Sequence, residues 1–262
     1  MRAWLLITTL AALGASGAYA QDASPSRSIG APNRGRLENG VLLRGTDAVM
    51  LQRGSNQWGT NELVGLIERA SARLQTQDPG PRLLVGDLSS RRGGRLRPHS
   101  SHQNGRDADL GLFLTDQDGE AIEPPRFLEL DQYACASERG VAYCFDPRRT
   151  FLFITALLED SITRVQWILI AADLRQRILA AGRRLDVSPE LLARVETATE
   201  PRDGSESHRS HLHVRILCPE DDVPRCQEHT VSRRRPAASS RQRARARRAR
   251  ARRAARRHAR QN

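Results

Sequence analysis

Lysine is absent from this chain: all 42 basic residues are arginine. A P-loop lysine, a Schiff-base lysine and a Ser-Lys nucleophile pair are therefore excluded. There is no H-E-x-x-H, no G-x-S-x-G and no G-x-G-x-x-G in the 262 residues, which removes the common zincin, serine-hydrolase and dinucleotide signatures. The four cysteines show no C-x-x-C spacing, so a cysteine zinc site has no support. Beyond the first 20 residues no apolar run is long enough to span a bilayer. The mature chain is expected to hold no transmembrane segment.

Acidic residues are missing from the C-terminal end. Between Ser232 and Asn262 there are 14 arginines and no Asp or Glu, and taking these 14 from the formal net charge of +12 leaves −2 for the rest. The high pI thus belongs to the tail. Residues 231–262 are expected to be a disordered, Arg/Ala-rich segment with affinity for anionic envelope polymers. No aromatic residue is interleaved with the arginines, so sequence-specific nucleic-acid binding is not expected.

At the other end, Arg2, the apolar run Leu5–Leu13 and the small-x-small pattern Ala18-Tyr19-Ala20 read as a signal peptide over residues 1–20. Export to the periplasm, or secretion, follows. Residues 21–36, rich in Ser, Pro, Gly and Arg, read as a flexible leader, and residues 37–230 as one domain. In an exported chain an even cysteine count favours disulfides. Of the three pairings available, the short-range one is expected: Cys135–Cys144 and Cys218–Cys226.

Within the domain, Val41–Leu43 and Ala48–Gln52 are expected to be short strands around a turn at Gly45-Thr46-Asp47. Leu63, Leu66, Ile67, Ala70 and Leu74 recur at helical spacing behind a Thr60 or Asn61 cap. Arg82–Leu88 reads as a buried strand, Ser89–Arg106 as a polar loop, and Asp107–Leu114 as the next strand. Helices are expected over Thr150–Glu159, over Leu174–Ala181 closed by Gly182, and over Ser188–Val195; strands over Val165–Ala171 and His211–Leu217. The mixture predicts an α+β fold: a single domain with a small, largely antiparallel sheet flanked by helices.

Five of the seven histidines bunch into two groups, His99 with His102 and His208 with His211 and His213. Asp109 follows His102 by seven residues across a turn at Asn104-Gly105, and imidazole plus carboxylate suits Zn²⁺. On a strand, His211 and His213 face the same side. One can then bind metal while the other works on a water. Asp107 shares the face of Asp109, and spacing alone does not separate the two carboxylates.

The strings "GDLSSRRGGRLRPHSSHQNGRDADLGLFL" and "SHRSHLHVRILCP" resemble the penicillin-insensitive murein endopeptidases, within the wider lysostaphin and D-alanyl-D-alanine metallopeptidase group. The pattern is H-x6-D followed downstream by H-x-H, and the likeness runs from Gly40 to Cys226, without the tail. The resemblance implies a Zn²⁺ held by His102, Asp109 and His213. It makes His211 the active-site histidine beside the water and His208 an accessory group. His99 is implied to lie behind the ligands or in an additional metal site. The implied substrate is peptidoglycan, cut at D-alanyl–diaminopimelate cross-link peptides. Alternatives are a zinc D,D-carboxypeptidase or dipeptidase acting on wall peptides, and a non-catalytic protein binding wall or polyanion. Arg91, Arg92, Arg95 and Arg97 are candidates for holding a substrate carboxylate, set against a solvated basic loop.

Overall fold

The computed structural model describes residues 24–202 and 205–229. The expected signal peptide and the expected basic tail lie outside the described residues. Among the described residues no helix is long and apolar enough to cross a membrane.

The stretch read as a flexible leader is, from Arg27 onward, part of the fold. Strands β1 (Arg27–Ala31) and β2 (Arg34–Glu38) form an antiparallel hairpin. The physical reason is long-range. The Ser28 N–H donates to the Asp222 carboxylate at 2.7 Å, and Gly30 exchanges backbone bonds with Arg225 and Gln227. A polar, glycine-containing segment with weak local preference is thereby fixed by partners almost 200 residues away.

The two short strands expected next are present but do not pair with each other. β3 (Val41–Leu42) pairs with β5 (Trp58–Gly59), while β4 (Val49–Leu51) runs parallel to β6 (Leu83–Val85). Between β5 and β6 lies α1 (Asn61–Gln77). Thr60 caps it by accepting from the Leu63 N–H at 3.3 Å, and Leu63, Leu66, Ile67, Ala70 and Leu74 are all buried.

The central sheet adds β7 (Asp107–Gly111), β12 (Val165–Leu169) and β13 (His211–Ile216), in the order β12-β13-β7-β6-β4. All its pairs except β4–β6 are antiparallel. The two-residue period of β7 and β13 divides this sheet chemically. Ala108 and Leu110, with Leu212, Val214 and Ile216, enter the hydrophobic core. Asp107, Asp109, His211, His213 and Arg215 alternate with them on the opposite face. One strand pair thus serves the core on one side and a polar cluster on the other.

Three helices complete the core: α2 (Pro147–Leu158), α3 (Ala172–Arg184) and α4 (Pro189–Ala198). α2 starts earlier than expected because Asp146 caps it, accepting from the Arg149 N–H at 2.9 Å, and Pro147 fits its first turn. Gly182 does not close α3 but lies inside it. The Phe151 ring of α2 occupies the space a side chain there would need, so close helix contact overrides the poor helix propensity of glycine.

A second, four-stranded sheet was not expected. It comprises β8 (Leu114–Thr115), β9 (Ala121–Ile122), β10 (Cys135–Glu138) and β11 (Val141–Phe145), in the order β10-β11-β8-β9. The turn Arg139-Gly140 has φ of 53° and 82°, the left-handed pair that a two-residue hairpin uses. Cys135 and Cys144 are register partners and form a disulfide. Cys218 and Cys226 form the other, so the short-range pairing holds.

Candidate metal centre

The polar face of β7 and β13 meets the loop between β6 and β7. In the antiparallel register His213 pairs with Asp109 and Arg215 with Asp107, so each basic side chain stands beside a carboxylate. The loop brings His102, which is fully buried. Its backbone takes φ of 62°, and its N–H donates to Asp107 at 3.2 Å.

Three donor atoms converge at the centre. His102 Nε2 lies 3.2 Å from Asp109 Oδ1 and 3.2 Å from His213 Nδ1, and His213 Nδ1 lies 3.0 Å from Asp109 Oδ1. The far nitrogen of each imidazole is occupied. His102 Nδ1 is 2.6 Å from the Leu88 carbonyl oxygen, which can only accept, so Nδ1 carries the proton and Nε2 the lone pair. His213 Nε2 is 3.1 Å from Asp107 Oδ1, which directs a proton to Nε2 and aims Nδ1 at the centre. Two imidazole nitrogens and a carboxylate turned toward one point suit a cation between them; without one, a proton on His213 Nδ1 can bond Asp109 Oδ1. A tetrahedral Zn²⁺ with bonds of about 2.0–2.2 Å sets its ligand atoms about 3.3–3.6 Å apart, slightly wider than this triangle.

Around the triangle the charges are paired. Burial opposes ionisation of Asp107, but Arg215, with Nε 2.5 Å from Oδ1, and His213 hold its carboxyl far below the usual range. Burial acts on Asp109 in the same way and is outweighed by His102 and His213, so it too is held well below. Burial lowers the His213 pKa, yet its bonds to Asp107 and Asp109 prevail and push it up to about 9 without a metal. Trp167 stacks on the His213 ring at 5.3 Å, and Arg215 caps Trp167 at 4.3 Å.

His99, His102 and Asp109 also offer ligand atoms within 4.8 Å of one another. His99 Nδ1 is 3.5 Å from Asp109 Oδ2, while its Nε2 is 2.9 Å from Asp87 Oδ2. The Asp87 bond, with Asp109 nearby, raises the His99 pKa against burial. His211 places Nε2 3.5 Å from Asp109 Oδ1 and Nδ1 2.9 Å from Ser210 Oγ. Burial lowers its pKa to about 4, and the neighbouring carboxylate does not offset this. The His208 ring lies 5.2 Å from that of His211 and 5.6 Å from that of His213.

The five histidines of the cluster line an open groove of about 910 Å³. Besides the five histidines, Gln166, Trp167, Arg202, Arg215 and Glu228 line it. All six site residues proposed from the sequence are therefore brought together. Arg91, Arg92, Arg95 and Arg97 are not, since none lines the groove. Asp87, Trp167, Ser210 and the Phe127 ring stacked on His211 had no signal in the histidine spacing. Asp87 and Ser210 fall within the strings quoted above, whereas Trp167 and Phe127 arrive from elsewhere in the chain.

A strand pair that presents one imidazole and a carboxylate, with a second imidazole from the adjoining loop, beside an open groove, has the layout of a metal-dependent hydrolase. Comparison with known sequences narrows the class. The penicillin-insensitive murein endopeptidase family matches residues 28–261, and the chain belongs to that family. The match extends past both ends of the Gly40–Cys226 resemblance, into β1 and through the tail. Proteins named penicillin-insensitive murein endopeptidase from Yersinia pestis bv. Antiqua (strain Antiqua) and Yersinia enterocolitica are 28% and 30% identical over 167 residues, 63% of this chain. The chain spans about 56% of the length of these two relatives. One from Klebsiella pneumoniae (strain 342) is 27% identical over 241 residues, 84% of this chain and 82% of the relative.

Proposed function

We propose that this protein is an exported, zinc-dependent murein endopeptidase that hydrolyses D-alanyl–diaminopimelate cross-links in peptidoglycan. The observation that carries the reading is the triangle of donor atoms 3.0–3.2 Å apart, with both imidazole tautomers set from behind. His102 through Nε2, Asp109 through its carboxylate and His213 through Nδ1 hold the ion. A Zn²⁺ there supplies Lewis acidity toward a water and toward the scissile carbonyl. His211 directs Nε2 over the same centre, orients the attacking water and accepts its proton. His208, with its ring 5.2 Å from that of His211, also lines the groove and donates to the developing oxyanion. His99, between Asp87 and Asp109, steadies the Asp109 carboxylate from outside the triangle.

The endopeptidase reading is favoured over a carboxypeptidase by the groove. A carboxypeptidase needs a fixed cation for the terminal carboxylate. The four loop arginines stand off the groove, and Arg215 is committed to Asp107. Among the described lining residues the other arginine is Arg202, which is exposed. A non-catalytic wall-binding protein has no use for an intact donor triangle. The proposed site of action is the periplasm, and the Arg-rich tail is proposed to hold anionic envelope polymers.

The test is product analysis on purified cross-linked wall dimers. Conversion to monomers, stopped by chelators and untouched by β-lactams, with about one zinc per chain, is expected. Release of free D-alanine without dimer cleavage assigns the carboxypeptidase activity instead.

A further inference from the structure

His211 has a support that lies outside the groove. The Phe127 ring stacks on the imidazole at 5.0 Å between centroids and 14° between planes. Phe127 is half-buried and is not a lining residue of the groove, so it backs the histidine and does not face a substrate. Its own position is built. The Phe127 N–H donates to Gln52 Oε1 at 2.8 Å, and the Gln52 N–H donates to the Val85 carbonyl at 2.8 Å.

The ring rests where two glycines leave the sheet bare. A Cβ on Gly86 would lie 2.5 Å from Phe127 Cε2 and 2.6 Å from Cζ, and one on Gly111 3.4 Å from Cε1. Gly111 is the register partner of His211, and the Gly86 N–H donates to the Asp109 carbonyl. Neither glycine has a positive φ. What these positions use is the missing side chain, not conformational freedom.

The χ2 torsion of a histidine is broad, and the Ser210 contact at Nδ1 leaves the ring free to swing about it. A flat surface behind the ring removes that freedom. We infer that Phe127, seated on Gly86 and Gly111, is a positioning residue that fixes the plane of His211 over the donor triangle. The inference rests on the proposed role of His211 at the attacking water. Misplacement of a reacting group by about 1 Å is enough to slow a reaction about 100-fold.

The experiment uses the zinc-loaded full-length protein and its variants Phe127→Leu, Phe127→Ala, Gly86→Ala and Phe127→Ala with Gly86→Ala. Zinc content, kcat and KM on soluble cross-linked dimers, and the NMR shifts of the His211 ring protons are measured. Phe127→Leu is expected to keep zinc and hold KM within about threefold while kcat falls roughly 10- to 100-fold. The His211 protons should lose the displacement that a stacked aromatic ring imposes. Gly86→Ala, which keeps the ring but pushes it off its seat, should do the same. In the Phe127→Ala background the added methyl finds vacated space, so Gly86→Ala should cost less than about twofold more in kcat, the non-additivity of a contacting pair. If Phe127→Leu does not fold, Gly86→Ala and its NMR signature carry the test.

The inference is overturned if kcat stays within twofold although the His211 shifts have moved. It is equally overturned if the loss tracks zinc content, or if the Gly86 and Phe127 effects multiply independently. His211→Ala separates the two levels. Normal kcat in that variant sinks the proposed role of His211 itself, whereas a large loss there with none in Phe127→Leu sinks only the positioning role.

Discussion

His211 and His213 stand two residues apart on one face of one strand, yet they are driven in opposite directions. His213 sits between two carboxylates, Asp107 at 3.1 Å and Asp109 at 3.0 Å, and its pKa is pushed up to about 9. His211 touches a serine hydroxyl and an aromatic face, stands 3.5 Å from the nearest carboxylate, and is lowered to about 4. Both are largely buried, so burial does not distinguish them. What does is whether a carboxylate lies within bonding distance. A half-ångström difference in approach, set by register against β7, separates a ring that takes up a positive charge in the metal-free protein from one that stays neutral.

The sharpest way to break the comparison is to remove each ring. His213→Ala should lose both zinc and all measurable turnover, as should His102→Ala and Asp109→Ala, by metal analysis and dimer cleavage. His211→Ala should retain zinc and lose about 100-fold or more in kcat. If both histidine variants keep full zinc, the division of roles between them is wrong.

A smaller effect is expected behind the triangle. Asp107→Asn should weaken zinc binding by about 10- to 100-fold, measured by competition with a chelator, because it unsettles the His213 tautomer without removing a ligand. If Asp107→Asn abolishes zinc while Asp109→Asn keeps it, the two carboxylates have exchanged roles.

The metal-free protein tests the electrostatics directly. NMR titration should find His213 near 9 and His211 near 4. The raised His213 contributes stability that is present below its unfolded value of 6.5 and lost as pH rises through 9. The lowered His211 contributes in the opposite sense: its share is present above 6.5 and lost as pH falls through 4. Denaturant unfolding across this range checks both signs, and coincident titration of the two rings would erase the distinction. The smallest effect is expected from deleting residues 232–262. Turnover on small soluble fragments should be nearly unchanged, since both histidines take their character from β7, β13 and their immediate neighbours, while retention on envelopes at low salt should weaken. A large change in kcat would mean that the strand pair alone does not set the site.

Much of the site was legible because its chemistry is local in sequence. His102 and Asp109 flank one turn, and His211 and His213 obey the strand period. The burial of Leu63 to Leu74 was equally readable from helical spacing. Legibility ended where partners come from afar. The β1–β2 hairpin is fixed by Asp222 and Arg225, and β4 chooses β6 over its sequence neighbour. Gly182 looks like a helix stop until Phe151 is beside it. Asp107 and Asp109 were indistinguishable by spacing. They differ because Arg215 stands opposite one and His213 opposite the other in the register. The second sheet carried one unread signal, two cysteines nine residues apart around Arg139-Gly140.

The last described stretch of chain runs along the groove. Glu228 and His229 help line it, and they are held there by the buried Arg106, which reaches the Glu228 carboxylate at 3.1 Å and the Gln227 carbonyl at 2.8 Å. The last described residue before the arginine-rich stretch is therefore one that lines the groove. If residues 231–262 hold an anionic polymer as proposed, that polymer is tethered to a segment whose preceding residues, Glu228 and His229, line the groove. Its encounter with the groove would then be intramolecular, set by an effective molarity and not by its dilution in the surroundings.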